Sequence, residues 1–140
     1  MELLYTTSAT TKGGMDARVK SENGLLDLEI RAPKEMGGPG GEYTNPEELF
    51  AVGYSACFHS AINFVAFSKR MKLQPAVTAS VHTGKNGKGG FMFSVDLDVY
   101  IGGVEQEEAE SIVKQAETVC PYSNATHGNI EVKIHVTAGK

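Results

Sequence analysis

The sequence has little cysteine, no cluster of positive charge and no visible signal-peptide pattern. Only two of its 140 residues are cysteines, Cys57 and Cys120, so it is not a disulfide scaffold of the secreted kind. Lysine and arginine are scattered and the formal net charge is −4, which argues against nucleic-acid binding. The N-terminus lacks a basic stretch followed by an apolar run. We therefore expect a cytoplasmic protein whose thiols are kept reduced.

The longest uncharged segment, residues 49–67, approaches the length of a membrane span. It contains His59, Asn63 and several small hydroxyl residues, and its apolar content is moderate. This composition favours a buried helix over membrane insertion. With 41% hydrophobic and 21% charged residues the chain is typical of a soluble globular protein, and residues 1–140 are long enough to form a single domain with its own core.

Hydrophobic periodicity predicts an α+β fold in the order β-β-β-α-β-β-α-β, with mostly antiparallel sheets packed on helices. Residues 91–101 give the clearest strand pattern, because apolar and polar side chains alternate throughout. Residues 32–46 are rich in glycine and proline and are expected to form a functional or mobile loop. The other predicted elements are strands at 3–10, 77–81 and 130–136, a hairpin at 15–31 that turns at SENG, and helices at 46–70 and 105–119.

The predicted long helix has a well-marked start. Asn45 can cap it, Pro46 suits its first position, and Glu48 lies three residues after the cap, as a capping box requires. Almost the whole circumference of this helix is apolar or small, so it should be enclosed on most sides. Because the remaining elements can hardly cover it, we expect two such helices to pack against each other in a homodimer.

Both cysteines point toward the predicted core. Cys57 lies in the middle of the long helix, and Cys120 lies on the apolar face of the second helix, directly before Pro121. Each could be a small buried hydrophobic residue, as most free cysteines are. If the thiols touch, redox chemistry follows: a thiolate attacks a peroxide to give a sulfenic acid, and the second thiol converts it to a disulfide. Apolar surroundings raise a thiol pKa, so an attacking Cys57 would need a nearby cation.

Two other uses of the cysteines are weaker. Cys57, His59, Cys120 and His127 could in principle bind zinc, but residues two apart on a helix diverge by ~200°, so Cys57 and His59 cannot both be ligands from a regular helix. A Cys–His hydrolase is equally weak, because the sequence places no histidine near either thiol. No bound metal or cofactor is expected.

Two motifs carry a family resemblance. TNPEELFAVGYSACF (44–58) and CPYSNATHGN (120–129) closely resemble the organic hydroperoxide resistance proteins of the Ohr/OsmC superfamily, and the similarity extends over essentially the whole chain. The resemblance implies a thiol peroxidase that reduces organic hydroperoxides, including those of fatty acids, to alcohols. It also implies an intertwined homodimer with two long central helices wrapped by antiparallel sheets, and an active site at the subunit interface. The implied reductant is a dithiol, either dihydrolipoamide or a lipoylated protein.

The resemblance also assigns roles by position. Cys57 matches the peroxidatic cysteine, Cys120 matches the resolving one, and Glu47 matches the carboxylate that holds the catalytic arginine in a salt bridge. Glu47 precedes Cys57 by about ten residues, or ~15 Å along an unbroken helix. It therefore cannot reach the thiol of its own chain, and we expect it to act on the thiol of an antiparallel partner helix.

The chain departs from the family pattern at the arginine itself. The family has GGR near the N-terminus, whereas this chain reads GGMDAR, with Met15 at that position and Arg18 as the nearest arginine. The offset of three residues reverses the face of a strand, so Arg18 could substitute only if the preceding loop is rearranged. Three options stay open: Arg18 has taken over, which we favour, another cation such as Arg31 or Lys34 serves, or activity is weak.

Two further departures, Glu117 and His127, remove positive charge beside Cys120 relative to the family pattern. Several apolar residues could line an alkyl-accepting pocket or could simply pack the core; they are Phe50, Tyr54, Phe58 and Met36. The missing arginine also leaves an alternative function open. The protein could have kept this fold with weak or lost peroxidase activity, and bind lipid-like molecules at the dimer interface.

Overall fold

A computed structural model describes residues 1–139, which divide into one unit up to Leu49 and a second from Phe50 onward. The first unit contains β1 (Ala9–Lys12), β2 (Arg18–Ser21), β3 (Asp27–Glu29), a 3₁₀ turn (Lys34–Met36) and the start of α1 (Pro46–Ser68). The second contains the rest of α1, then β4 (Ala76–Lys85), β5 (Phe91–Gly102), α2 (Gln106–Val119), α3 (Pro121–Thr126) and β6 (Val132–Gly139). This is the predicted α+β class and order, with α3 as an additional helix.

The first unit is built on an antiparallel sheet in the order β1-β2-β3. The SENG turn joins β2 to β3 as predicted, and the Ser21 hydroxyl donates to the Asn23 side-chain oxygen at 2.8 Å. The predicted first strand at 3–10 is wrong in its bounds, because β1 begins only at Ala9. Ala9 pairs with Ser21, the last residue of β2, so residues 3–7 have no strand to pair with in this sheet.

Helix α1 begins where the capping pattern predicts. The Asn45 side-chain oxygen accepts a hydrogen bond from the Glu48 N–H at 2.7 Å. The helix continues without a break to Ser68, close to the predicted end. It stops there because Arg70 adopts a left-handed conformation with φ 57°, which ends an α-helix.

The second unit holds a sheet in the order β4-β5-β6, with helices packed on one face. β4 and β5 are antiparallel, whereas β5 and β6 are parallel, which is the exception to the predicted antiparallel pairing. The parallel pair arises because α2 and α3 carry the chain back between the two strands. The inward side chains of β5 are fully buried as their alternation predicts: Val95, Leu97, Val99 and Ile101.

Helix α1 is covered on only one face within a single chain. All but one of its buried residues pack into the core of the second unit: Tyr54, Phe58, Ala61, Ile62 and Val65. On other faces Val52, Phe64 and Phe67 remain 61%, 64% and 82% exposed. The expectation of a helix enclosed on most sides is therefore not met by one chain. By length and composition α1 would also fit a membrane span, but core helices of soluble proteins share these properties.

Candidate active site

The two cysteines meet in the second unit. The Cys120 thiol donates a hydrogen bond to the Cys57 Sγ atom at an Sγ–Sγ distance of 3.2 Å, and both cysteines are free. Cys57 is half-buried, whereas Cys120 is fully buried. The contact that the sequence left open is therefore present, between residues 63 positions apart in the chain.

The corner between α2 and α3 sets the position of Cys120. Its N–H closes the last turn of α2 on the Ala116 carbonyl at 2.9 Å, while its own backbone is extended, with φ −68° and ψ 119°. Pro121 follows at the first position of α3, where proline needs no N–H partner. Pro121 therefore ends α2 as predicted, and it also starts the short helix that the hydrophobic pattern did not predict. The sequence signal that could have predicted α3 is the proline directly after the end of α2.

The surroundings of Cys57 act in opposite directions on its pKa. Burial is the largest effect and raises the pKa of the Cys57 thiol above its ordinary value, because it disfavours the charged thiolate. The main-chain N–H of Tyr122 donates to the sulfur and lowers this pKa. The contact with Cys120 raises it, first through the hydrogen bond between the two thiols and second because two thiolates so close together would repel. Together these effects raise the pKa of Cys57, so the second unit by itself does not supply an activated thiolate.

An aromatic cluster lies beside the cysteines. The Phe50 ring lies 5.0 Å from Phe93, 5.8 Å from Tyr122 and 5.9 Å from Tyr54, measured between ring centres. Tyr54 and Phe58 were candidates for a pocket wall, but both are fully buried in the core. Sequence reasoning missed Phe93 and Tyr122, whose neighbours along the chain gave no sign that the fold brings them to α1.

The Tyr54 hydroxyl ties α3 to α1. It lies 3.0 Å from the Thr126 hydroxyl and 3.4 Å from the Ser123 hydroxyl, and all three groups are buried. A buried hydroxyl without a partner is costly, so these contacts favour one placement of α3. Since α3 begins directly after Cys120, they also hold the chain that carries this thiol.

Glu47 lines a cavity of about 440 Å³ in the first unit. Its carboxylate makes no hydrogen bond or ion pair with another residue of the range 1–139, although the residue is half-buried. Met15, Met36 and Arg31 line the same cavity. The structure therefore places an unpaired carboxylate, a methionine and one arginine around a single cavity.

Arg18 lies elsewhere in the first unit. Its Nε atom donates to the Asp27 carboxylate at 2.6 Å, its side chain is 55% exposed, and it lines a different cavity with Thr10 and Lys12. Arg31, in contrast, is only 11% exposed in its side chain. Of the two arginines, only Arg31 shares a cavity with Glu47.

The guanidinium of Arg31 is held by several contacts. Its Nη1 atom donates to the carbonyls of Ala17 at 2.7 Å and Ile30 at 2.9 Å. Its Cζ atom lies 4.3 Å from the centre of the Tyr43 ring, in a cation–π contact. Its Nη2 atom lies 3.8 Å from the Glu29 carboxylate, which is a weak ion pair. The fixed guanidinium thus retains donor capacity for a further anion. Lys34, the other candidate cation, lines the adjoining cavity of about 310 Å³ that also includes Arg31.

The histidines considered as metal ligands do not join the cysteines in a metal-binding group. Within residues 1–139 no set of three or more histidine, cysteine, aspartate or glutamate side chains is arranged to hold a metal ion. His59 instead lies 3.5 Å from the Asn63 side-chain nitrogen one turn along α1.

Comparisons with known proteins agree with the motifs. The family model of the OsmC-like proteins matches residues 38–135. The organic hydroperoxide resistance protein of Xanthomonas axonopodis pv. citri is 43% identical over 135 residues, covering 95% of this chain and 94% of that protein. The crystal structure of an organic hydroperoxide resistance protein from Elizabethkingia anophelis has a TM-score of 0.96 at 51% identity, covering 99% of this chain and 100% of that one. This chain therefore belongs to the organic hydroperoxide resistance proteins of the OsmC-like family.

Proposed function

We propose that this protein is a thiol peroxidase that reduces organic hydroperoxides, including those of fatty acids, to alcohols in the cytoplasm. The observation that carries the proposal is the 3.2 Å approach of the Cys57 and Cys120 sulfur atoms, both free. A disulfide has an S–S distance of ~2.05 Å, so a shift of roughly 1.2 Å would join them. Relatives named for organic hydroperoxide resistance support the substrate class.

The proposed cycle uses the two thiols in turn. The Cys57 thiolate attacks one peroxide oxygen, the O–O bond breaks, and the departing alkoxide takes up a proton to become the alcohol. Cys57 is then a sulfenic acid. The Cys120 thiol attacks its sulfur, and the sulfenic oxygen leaves as water with the Cys120 proton, so that a disulfide forms. An external dithiol, dihydrolipoamide or a lipoylated protein, reduces this disulfide by exchange and becomes a disulfide itself.

A homodimer is the assembly in which we expect this cycle to operate. The uncovered apolar side chains of α1, among them Phe64 and Phe67, need a partner surface. A second copy of α1 running antiparallel would provide one. In that arrangement Glu47, at the first turn of an unbroken α1, would serve the thiol of the other chain.

Arg31 is the cation that we now favour for activating Cys57, in place of Arg18. A raised thiol pKa calls for a nearby positive charge, and Arg31 is the arginine that shares a cavity with the unpaired Glu47 carboxylate. Glu47 would orient the guanidinium, as the family role of this carboxylate implies. The alternative function, binding of lipid-like molecules with weak peroxidase activity, rests on Met15, which brings an uncharged thioether to this cavity.

Turnover with a dithiol tests the proposed function directly. We expect one molecule of alcohol per molecule of cumene or fatty-acid hydroperoxide when dihydrolipoamide is supplied, since one dithiol resets one disulfide. A monothiol such as glutathione should support much slower turnover. Alcohol and oxidised lipoamide would be measured by chromatography. Binding of the hydroperoxide without alcohol formation would support the alternative function instead.

Replacing Cys120 with serine should stop the cycle after its first step. We expect Cys120→Ser to form one equivalent of alcohol and then accumulate the Cys57 sulfenic acid, because no second thiol lies 3.2 Å away. Dimedone labelling followed by mass spectrometry would measure this species. Unlabelled Cys57 together with full dithiol-dependent turnover would show that Cys120 is not the resolving residue.

A further inference from the structure

Position 53 of α1 is occupied by a glycine where a larger residue would not fit. A Cβ atom there would overlap the Tyr122 hydroxyl and lie 2.7 Å from Cζ and 3.1 Å from Cε2 of its ring. Glycine in a helix interior is otherwise unfavourable, because it costs conformational entropy on folding. The bare backbone at Gly53 thus makes room for the Tyr122 ring.

The Tyr122 ring is enclosed on other sides as well. Its centre lies 5.5 Å from that of Tyr54 and 5.8 Å from that of Phe50, so three α1 residues spaced over one turn form a slot for it. Tyr54 also forms a hydrogen bond with α3, because its hydroxyl oxygen lies 3.0 Å from the Thr126 hydroxyl oxygen. The ring and the helix that follows Cys120 are therefore both held against α1.

Gly53 and Cys57 are four residues apart, so they lie on the same face of α1, one turn from each other. The Tyr122 ring lies against Gly53, and the Cys120 sulfur, two residues earlier in the chain, lies 3.2 Å from that of Cys57. These two contacts place the main chain of Tyr122 beside the Cys57 sulfur, where a hydrogen bond from it lowers the pKa of this thiol. A hydrogen bond to a charged acceptor is stronger than one to a neutral acceptor, so this N–H favours the thiolate over the thiol.

We infer that the main-chain N–H of Tyr122 is a hydrogen-bond donor that stabilises the Cys57 thiolate, and that Gly53 is a positioning residue that keeps this N–H on the sulfur. The inference rests on the proposed role of Cys57 as the attacking thiol. Within the second unit, this hydrogen bond partly offsets the burial that raises the pKa of Cys57. This matters in a chain with a methionine at position 15.

Gly53→Ala tests the positioning role. The substitution favours helix formation, yet we expect it to displace Tyr122 and lower the rate of Cys57 alkylation by iodoacetamide at neutral pH by ~10-fold, with the pH midpoint of alkylation moved upward. Mass spectrometry would follow Cys57 specifically. Gly84→Ala is the matched control, because a Cβ at Gly84 would meet no atom within 4 Å, and it should leave alkylation unchanged.

A second substitution distinguishes positioning from a general loss of structure. Gly53→Ala combined with Tyr122→Leu removes the ring that clashes with the new Cβ but keeps the N–H at 122, so we expect alkylation to recover most of its rate. Tyr122→Phe alone should have little effect, since the hydroxyl is not the proposed donor. A drop with Tyr122→Phe as large as that with Gly53→Ala would overturn the inference, as would unchanged alkylation in folded Gly53→Ala.

The donor itself can be removed without changing the side chain. Incorporating the α-hydroxy acid analogue of tyrosine at position 122 replaces the N–H by an ester oxygen, and we expect the same ~10-fold loss of alkylation rate at neutral pH. An unchanged rate would exclude this N–H as the donor. Alkylation needs no hydroperoxide, so the alkylation rate can be measured separately from peroxidase activity. If the ester variant keeps its hydroperoxide turnover and its alkylation rate is unchanged, only the inference about the Tyr122 N–H is refuted.

Discussion

Cys57→Ser is expected to lower hydroperoxide turnover by roughly 10³-fold or more, to the background rate of the dithiol alone, since loss of a catalytic nucleophile costs well-studied enzymes up to about 10⁶-fold. A serine hydroxyl cannot form the sulfenic acid or the mixed disulfide on which the cycle depends. Alcohol formation from cumene hydroperoxide with dihydrolipoamide would be compared between the two proteins.

The comparison with Cys120→Ser makes the result specific. Both variants replace one sulfur of the 3.2 Å pair by oxygen and leave the other sulfur in place. Only Cys57→Ser should abolish the first equivalent of alcohol, whereas Cys120→Ser should retain it. Equal first-turnover yields from wild type and Cys57→Ser would remove Cys57 from the mechanism and with it the proposed function.

Arg31→Gln is expected to produce the second largest effect, a loss of ~10- to 10³-fold in turnover at neutral pH. A cation within a few ångströms lowers an acidic pKa by about one to three units, and each unit changes the thiolate fraction tenfold when most of the thiol is protonated. Without the cation, the pKa of Cys57 depends only on its surroundings within the second unit, and these raise it above its ordinary value. The pH midpoint of Cys57 alkylation should then lie above the ~8.5 of free cysteine, and below it in wild type.

Arg18→Gln is the matched control. Arg18 is more exposed and pairs with Asp27 at 2.6 Å. Its loss should therefore leave turnover and the pH midpoint of Cys57 alkylation nearly unchanged. If Arg18→Gln instead moves the midpoint and Arg31→Gln does not, Arg18 has taken over the role after all. Thermal unfolding of both variants would be measured, because Arg31 also bonds the carbonyls of Ala17 and Ile30.

Two further variants separate charge from structure at Arg31. Arg31→Lys keeps the positive charge and should retain much of the rate, although a lysine lacks the planar fork of donors. Met15→Arg, introduced into the Arg31→Gln protein, places an arginine in the cavity of Glu47, at the position where the family resemblance implies one, and should restore turnover. If Arg31→Lys loses the rate and Met15→Arg does not restore it, the loss in Arg31→Gln comes from disrupted packing.

Prediction from the sequence succeeded where the signal was local or periodic. The cap at Asn45, the alternation along β5 and the end of α2 before Pro121 each depend on a few neighbouring residues, and the structure has all three. It failed for residues 3–7, whose apolar pattern resembles a strand but finds no partner in the β1-β2-β3 sheet. Strand formation depends on a partner, which a pattern within one segment does not reveal.

The family, the α+β class and the identity of the two thiols follow from the chain alone, because motifs and periodicity are read directly from the amino-acid order. The distances depend on the packed fold: the thiols lie 3.2 Å apart, Tyr122 fills the space left by Gly53, and Arg31 rather than Arg18 shares a cavity with Glu47. These contacts join residues far apart in the chain. They follow from how helices and strands pack, which no single segment of sequence specifies.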